Sequence, residues 1–187
     1  MNYEEKTKQA YSNLAKVWDS KRPQVWGPVK CFLESSKKGD LLELGCGSGR
    51  HLVFARDLAF STVKGIDYAL GLVDICKEKN LDVECADLRD LPFDEQSFDL
   101  LLCIAVLQHL TSDGDREGAL RELRCVMRED AQLFLSIWLK PEKMNEKKFR
   151  EVEKNLFRVS LDKEEERYYY FFEEEYFDNL LNSFIIY

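Results

Sequence analysis

The segment Leu41-Leu42-Glu43-Leu44-Gly45-Cys46-Gly47-Ser48-Gly49-Arg50 constrains this chain more than any other. An apolar strand stops there at alternating glycines and resumes as a helix at His51-Leu52-Val53-Phe54-Ala55. Glycine at alternate positions lets the backbone turn tightly and approach a ligand closer than any Cβ would allow, and the new helix N-terminus presents unpaired N–H groups. Such a turn reads as a nucleotide-binding loop. A dinucleotide fold spaces its glycines G-x-G-x-x-G to seat a pyrophosphate. Here the spacing is G-x-G-x-G behind an acid, Glu43, with no Lys to meet phosphate, which suits a cationic or zwitterionic ligand better.

Further carboxylates recur where later strands end. Thr62-Val63-Lys64-Gly65-Ile66 runs into Asp67, about twenty residues past the glycines, where an acid meets ribose hydroxyls. Cys85-Ala86-Asp87-Leu88 closes a third strand, and Ser97 to Ile104 forms a fourth that continues into Ala105-Val106-Leu107-Gln108-His109. Together E-L-G-C-G-S-G, G-I-D, A-D-L and L-P-F-x-x-x-S-F-D resemble the class I S-adenosylmethionine-dependent methyltransferases over about residues 1–140. The resemblance implies S-adenosyl-L-methionine as cofactor. It gives Asp67, followed by Tyr68, to the ribose, Asp87 and Leu88 to the adenine, and Gly45, Cys46, Gly47 and Gly49, behind Glu43, to the amino-acid part. Ile104 and Ala105 would line the far wall.

The order of elements agrees with an α/β, Rossmann-like fold. A helix is expected near 3–18, with Leu14, Ala15, Val17 and Trp18 placed to cover the cleft, then a loop with Pro23 and Pro28, and a helix at about 26–36. Helix 51–58, strand 62–66, helix 70–79, strand 81–85, strand 98–104, a helix near 113–127 and a strand from Gln132 to Trp138 follow from hydrophobic periodicity. Alternating strands and helices predict a mostly parallel sheet with helices on both faces, its ligand at the carboxyl ends of the strands. After Trp138 we expect a charged helical segment, the aromatic run Tyr168-Tyr169-Tyr170-Phe171-Phe172, a helix 173–182 and a terminal strand Phe184 to Tyr187. Two features depart from the family. Arg128-Glu129-Asp130-Ala131 replaces its usual Pro-Gly-Gly turn, and the closing antiparallel hairpin is cut short, its edge truncated or rebuilt from the aromatic run.

At 187 residues the chain is expected to be a single methyltransferase domain, 1–187. A polar start at Met1-Asn2-Tyr3-Glu4 and the lack of any run of ~18 apolar residues predict an intracellular, cytoplasmic protein without a membrane segment. Cys31, Cys46, Cys76, Cys85, Cys103 and Cys125 form no C-x-x-C pair, so they read as reduced core residues, and no metal site is expected. The net charge of −8 opposes nonspecific nucleic-acid binding, but residues 1–40 carry eight Lys/Arg against five acids and 140–158 carry seven against four. Both stretches adjoin the expected ligand edge, where they serve either as a nucleic-acid contact or as solvated helix faces.

A finer resemblance concerns the acceptor. Ile104 to His109 stands where amide methylation would need an N-P-P-Y motif. Instead Ser20-Lys21-Arg22-Pro23-Gln24-Val25-Trp26-Gly27-Pro28, A-V-L-Q-H, S-I-W and R-Y-Y are similar to the eukaryotic tRNA wobble-uridine carboxymethyl methyltransferases. That family usually has His-His where this chain has Gln108-His109, so only His109 is carried over. The resemblance implies methyl transfer to a carboxylate on a tRNA base. Arg22 would grip that carboxylate and His109 would orient it, with Trp138 (or Trp26 or Tyr168) stacking on the base. It also implies tRNA and a small zinc-binding activator subunit as partners, the latter along the edge strand Leu81–Cys85. The alternatives are a methyltransferase with a small-molecule or protein acceptor, and a noncatalytic cofactor-binding subunit.

Overall fold

The computed structural model describes residues 2–22, 24–145, 148–160 and 165–184. Pro23 and the last three residues of the expected terminal strand lie outside them. Three N-terminal helices come first: α1 (Tyr3–Asn13), α2 (Ala15–Lys21) and α3 (Gly27–Ser35). Then β1 (Asp40–Leu44), α4 (Arg50–Asp57), β2 (Thr62–Asp67), α5 (Leu70–Glu78) and β3 (Asp82–Cys85) alternate, followed by β4 (Phe98–Ile104), a 3-10 turn (Leu107–His109), α6 (Asp113–Val126) and β5 (Met127–Ser136).

These five strands form one parallel sheet in the order β3-β2-β1-β4-β5. The order reverses between β1 and β4, and a crevice opens at the carboxyl ends of strands at such a switch point. Alternate residues of each strand serve opposite faces. Leu42, Leu44, Leu101 and Cys103 pack with α6 residues such as Leu120 and Leu123 on one side. Leu41, Leu100 and Leu102 pack with Val29 and Leu33 of α3 and Leu52 of α4 on the other. Strands buried on both faces explain the unbroken apolar runs in the sequence. The fold class expected from the sequence is therefore the one found, with β3 at an outer edge.

The differences lie at the two ends of the chain. The single helix expected over 3–18 is two helices, because Leu14 leaves helical geometry (φ −98°, ψ 12°), and Val17 faces outward at 45% exposure. Pro28 sits in the first turn of α3 rather than in a loop, a position where its missing N–H costs nothing. Beyond β5, the expected charged helix is instead strand: β6 (Phe149–Glu153) and β7 (Leu156–Ser160) form a hairpin, and the aromatic run supplies β8 (Glu166–Tyr170) in a separate antiparallel sheet, β6-β7-β8. Charged residues on one strand face disguise the alternation of a half-buried hairpin. A parallel bridge joins Phe172 of the aromatic run to Leu139, just beyond β5, and Phe172 packs into the core beneath the main sheet. Phe184, expected to open a strand, ends α7 (Glu174–Phe184), which covers the α6 face with Leu180.

Arg128 to Ala131 makes no separate turn but belongs to β5, where a register irregularity sits between Phe98 and Leu100 and Arg128 pairs with Asp40 and Asp99. All six cysteines are free; Cys46, Cys76 and Cys103 are buried, but Cys31, Cys85 and Cys125 are exposed, contrary to their reading as core. Among the described residues no helix is long and apolar enough to cross a membrane, and no cluster of His, Cys, Asp and Glu could hold a metal ion.

Candidate active site

A cavity of about 290 Å³ opens at the switch point, close to the ~300 Å³ lower bound for small-molecule sites. Every cofactor residue expected from the sequence except Gly49 lines it: Glu43, Gly45, Cys46, Gly47, Asp67, Tyr68, Asp87, Leu88, Ile104 and Ala105. Gly49 stands behind them as the left-handed N-cap of α4. Gly45 has φ +63°, and a Cβ there would fall 2.4 Å from Val106 Cγ2, so only glycine permits the β1 end to turn beside the β4 loop.

The acids are held in distinct ways. Glu43 Oε1 accepts from His51 Nδ1 at 2.6 Å. Because Arg50 Nε–H donates to His51 Nε2 (3.1 Å), the ring proton belongs on Nδ1. Glu43 Oε2 is left buried without a partner. Asp67 accepts from the Gly47 N–H (2.8 Å) through one oxygen and from the Ala69 N–H (2.9 Å) through the other. Burial pushes its carboxyl up to about 6, outweighing those N–H groups, and the Glu43 charge acts in the same direction. Asp87 is clasped by Arg89 through Nε (2.9 Å) and Nη2 (2.6 Å), and Arg89 reaches on to Glu4 of α1. Burial acts to raise the Asp87 carboxyl, but Arg89 keeps it below the usual range. Glu4 also accepts from the Thr111 N–H, so α1 is strapped across the cleft mouth.

Four buried side-chain atoms among the described residues lack hydrogen-bond partners, and three, Glu43 Oε2, Tyr68 Oη and Gln108 Oε1, belong to residues lining this one cavity. Buried polar atoms are otherwise almost always satisfied. Two of the three are acceptors, one on a carboxylate, which suits the ammonium and hydroxyl donors of S-adenosylmethionine. The residues present fit the cofactor that the resemblance implies. Ala105, a non-glycine residue with φ +54°, adds backbone strain at the same wall.

The other end of the cavity is aromatic and basic. Tyr11, Trp18, Arg22, His109, Trp138 and Tyr169 line it. The Arg22 guanidinium stacks on the Trp18 ring at 3.8 Å, and among the described residues no carboxylate pairs with it. Trp138 stacks on Tyr169 with centroids 4.9 Å apart. Trp26 and Tyr168 are elsewhere: Trp26 is 44% exposed against Phe134, and Tyr168 stacks on Tyr3, so neither forms part of the cavity wall.

His109 is placed differently from its expected role of meeting the substrate. Its Nδ1 donates to the Tyr168 carbonyl and its Nε2 accepts from the Tyr11 hydroxyl, both at 3.3 Å. The residue keeps some exposure, but its ring is enclosed between Tyr11 and Tyr169, with centroids at 5.3 and 4.9 Å. Burial pushes the imidazole down to about 3, against the Tyr168 carbonyl and with help from the Arg167 charge, so it is neutral at physiological pH. No ionisation of His109 near neutrality is therefore available. Tyr11, Gln108, Arg167 and Tyr169 escaped sequence reasoning as site residues. Of the R-Y-Y string that carries the resemblance, Tyr169 rather than Tyr168 lines the cavity.

Comparison with known proteins agrees with this geometry. The family described as "Methyltransferase domain" matches residues 42–135. The tRNA (carboxymethyluridine(34)-5-O)-methyltransferase alkbh8 of Xenopus tropicalis is 32% identical over 131 residues, covering 70% of this chain and 20% of that protein. The chain spans 20% to 32% of the length of the first curated relatives it matches. Among solved structures, an S-adenosylmethionine-dependent methyltransferase from Clostridium acetobutylicum has a TM-score of 0.67 at 18% identity, covering 93% of this chain and 87% of that one. A putative methyltransferase complexed with the Haloferax volcanii Trm112 activator has a TM-score of 0.57 at 18% identity, covering 66% of this chain and 57% of that one.

Proposed function

We propose, from the premise that this chain belongs to the methyltransferase domain family, that it methylates the carboxylate of 5-carboxymethyluridine at the tRNA wobble position. The name of the Xenopus tropicalis relative supports this acceptor. The observation that carries it is that the cavity wall holds, besides Glu43 and Asp67, the Arg22 guanidinium stacked on Trp18 with no carboxylate paired to it among the described residues.

When bound, S-adenosylmethionine supplies a sulfonium methyl whose S–CH3 bond breaks, its electron pair staying on sulfur, as an acceptor oxygen forms the new O–CH3 bond. Glu43 and Asp67 hold the positively charged ligand end and the ribose. Arg22 grips the acceptor carboxylate through its planar fork and leaves one oxygen lone pair free to attack. A carboxylate is already ionised at neutral pH, so no residue has to remove a proton. That agrees with His109, which is neutral and has both nitrogens engaged within the protein. His109 serves as a positioning residue that ties α1 to β8, while Trp138 and Tyr169 offer a face on which an extruded base stacks. The net charge of −8 favours a second reading, a small-molecule or protein acceptor.

We also assign a small zinc-binding activator subunit to the outer strand β3, preceded by Leu81. Its free edge suits strand addition, and the complex of the Haloferax volcanii neighbour with an activator supports a partner of this kind. Incubating the chain, with and without an activator, with labelled S-adenosylmethionine and tRNA bearing 5-carboxymethyluridine tests the proposal. Base-labile label in the tRNA is expected; label only in small molecules or protein would overturn the acceptor. A fully active, monodisperse single chain would remove the need for the activator.

A further inference from the structure

Arg167 is a buried cation. It is 7% exposed, its Nη1 donates to the Tyr11 hydroxyl at 3.1 Å, and its Nε has no partner. Among the described residues no carboxylate pairs with it. Its guanidinium lies 4.7 Å from the Tyr169 ring centroid and 5.0 Å from that of Trp18, the indole on which Arg22 also stacks. A buried charge normally requires a counter-charge and full hydrogen bonding. Here two guanidinium groups, Arg22 on the cavity wall and Arg167 behind it, have no carboxylate partner among the described residues.

We propose that Arg167 is a specificity-determining residue, which acts with Arg22 to make the acceptor end of the cavity positive and so selects an acceptor bearing a carboxylate. This rests on the carboxylate reading given above. Arg167 stands behind Tyr11, Trp18 and Tyr169 and works through them. The neutral His109 Nε2 accepts the Tyr11 O–H hydrogen bond, so the Tyr11 oxygen accepts from Arg167 and from Tyr169 (3.2 Å). The Tyr169 hydroxyl can then turn its proton to an entering carboxylate while Arg167 still satisfies Tyr11. Methylation removes the acceptor's charge, so the attraction that binds the substrate does not hold the ester product.

The test uses the full chain saturated with S-adenosylhomocysteine, titrated with 5-carboxymethyluridine nucleoside and with its neutral methyl ester, following tryptophan fluorescence. The wild type is expected to prefer the carboxylate by about tenfold or more, and Arg167→Gln to reduce that preference below about threefold with S-adenosylhomocysteine affinity within about twofold. Arg167→Lys keeps the charge and is expected to keep most of the preference, which a merely structural role does not predict. A wild type without preference, or a folded Arg167→Gln that retains it, overturns the proposal. If Arg167→Gln does not fold, a folded Arg167→Lys without preference overturns it equally. A wild type that prefers the carboxylate nucleoside yet transfers no methyl to carboxymethylated tRNA refutes the acceptor reading and leaves Arg167 standing. An active enzyme whose Arg167→Gln variant keeps the preference does the reverse.

Discussion

The two ends of one cavity are built on opposite plans. The end at β1 and β2 carries Glu43 and Asp67, each at the terminus of a buried parallel strand and fixed by groups close in sequence or on the neighbouring strand. The other end carries Arg22 and Arg167 on an aromatic frame drawn from α1, α2, the 3-10 turn and β8, with Tyr11 and Arg167 separated by 156 residues yet hydrogen-bonded. Glu43 and Asp67 thus face two guanidinium groups that have no carboxylate partner among the described residues. Such a site is complementary to a pair of ligands of opposite charge, and a transfer that neutralises both weakens the hold on both products.

Single substitutions can break this division at either end. The largest effect is expected from Asp67→Ala, which removes a buried charge-assisted acceptor and should weaken S-adenosylmethionine binding by about 1–3 kcal/mol. Calorimetry on a variant with unchanged fold checks it, and unaltered affinity would show that the acidic end does not hold the ribose. At the basic end, Arg22→Lys keeps the charge and loses the fork. Turnover on carboxymethylated tRNA should fall by roughly tenfold while cofactor affinity stays within about twofold, as single-turnover kinetics can report. Equal losses in both quantities would blur the division into one site.

Two smaller effects sharpen it. Asp67 titrates at about 6 in the folded chain, above its usual 3.8. The native state therefore binds more protons between those values, and this group's contribution to stability of the cofactor-free protein rises as pH falls through that window. Cofactor binding should behave oppositely, weakening several-fold below about pH 6 because ribose hydroxyls donate to the ionised form. Calorimetric affinities at pH 5.5 and 7.5, set beside melting temperatures at the same pH values, separate the two trends. His109 should contribute no ionisation to the rate between pH 6 and 8, since it titrates at about 3. His109→Phe keeps a ring but frees Tyr11 and the Tyr168 carbonyl, and should cost about 1 kcal/mol of stability by denaturant melts, with smaller change in cofactor affinity.

How much of this was legible before the structure follows the same division. Glu43, the glycines, Asp67 and Asp87 could be placed because each lies at the end of an apolar run, and the parallel sheet brings all such ends to one edge. Arg22 and Trp138, named by resemblance to a family, line the cavity. Trp26 caps α3 and packs on Phe134 away from the cavity, while Tyr168 lies off it because neighbouring aromatic residues on a strand face opposite ways and the sequence does not say which face meets the cavity. Tyr169 and Arg167 were overlooked for the same reason.

Strand and helix alternation, the glycine turn and the strand-end acids were determined by the sequence itself, since they rest on local periodicity and on backbone geometry that only glycine tolerates. Only the tertiary structure decided that α1 and the β6-β7-β8 sheet meet over the cavity, that His109 is neutral and spoken for, and that Arg167 is buried with no carboxylate partner among the described residues. Those properties depend on which distant segments exclude water from a given side chain, and burial by distant segments leaves no mark in the order of residues around it.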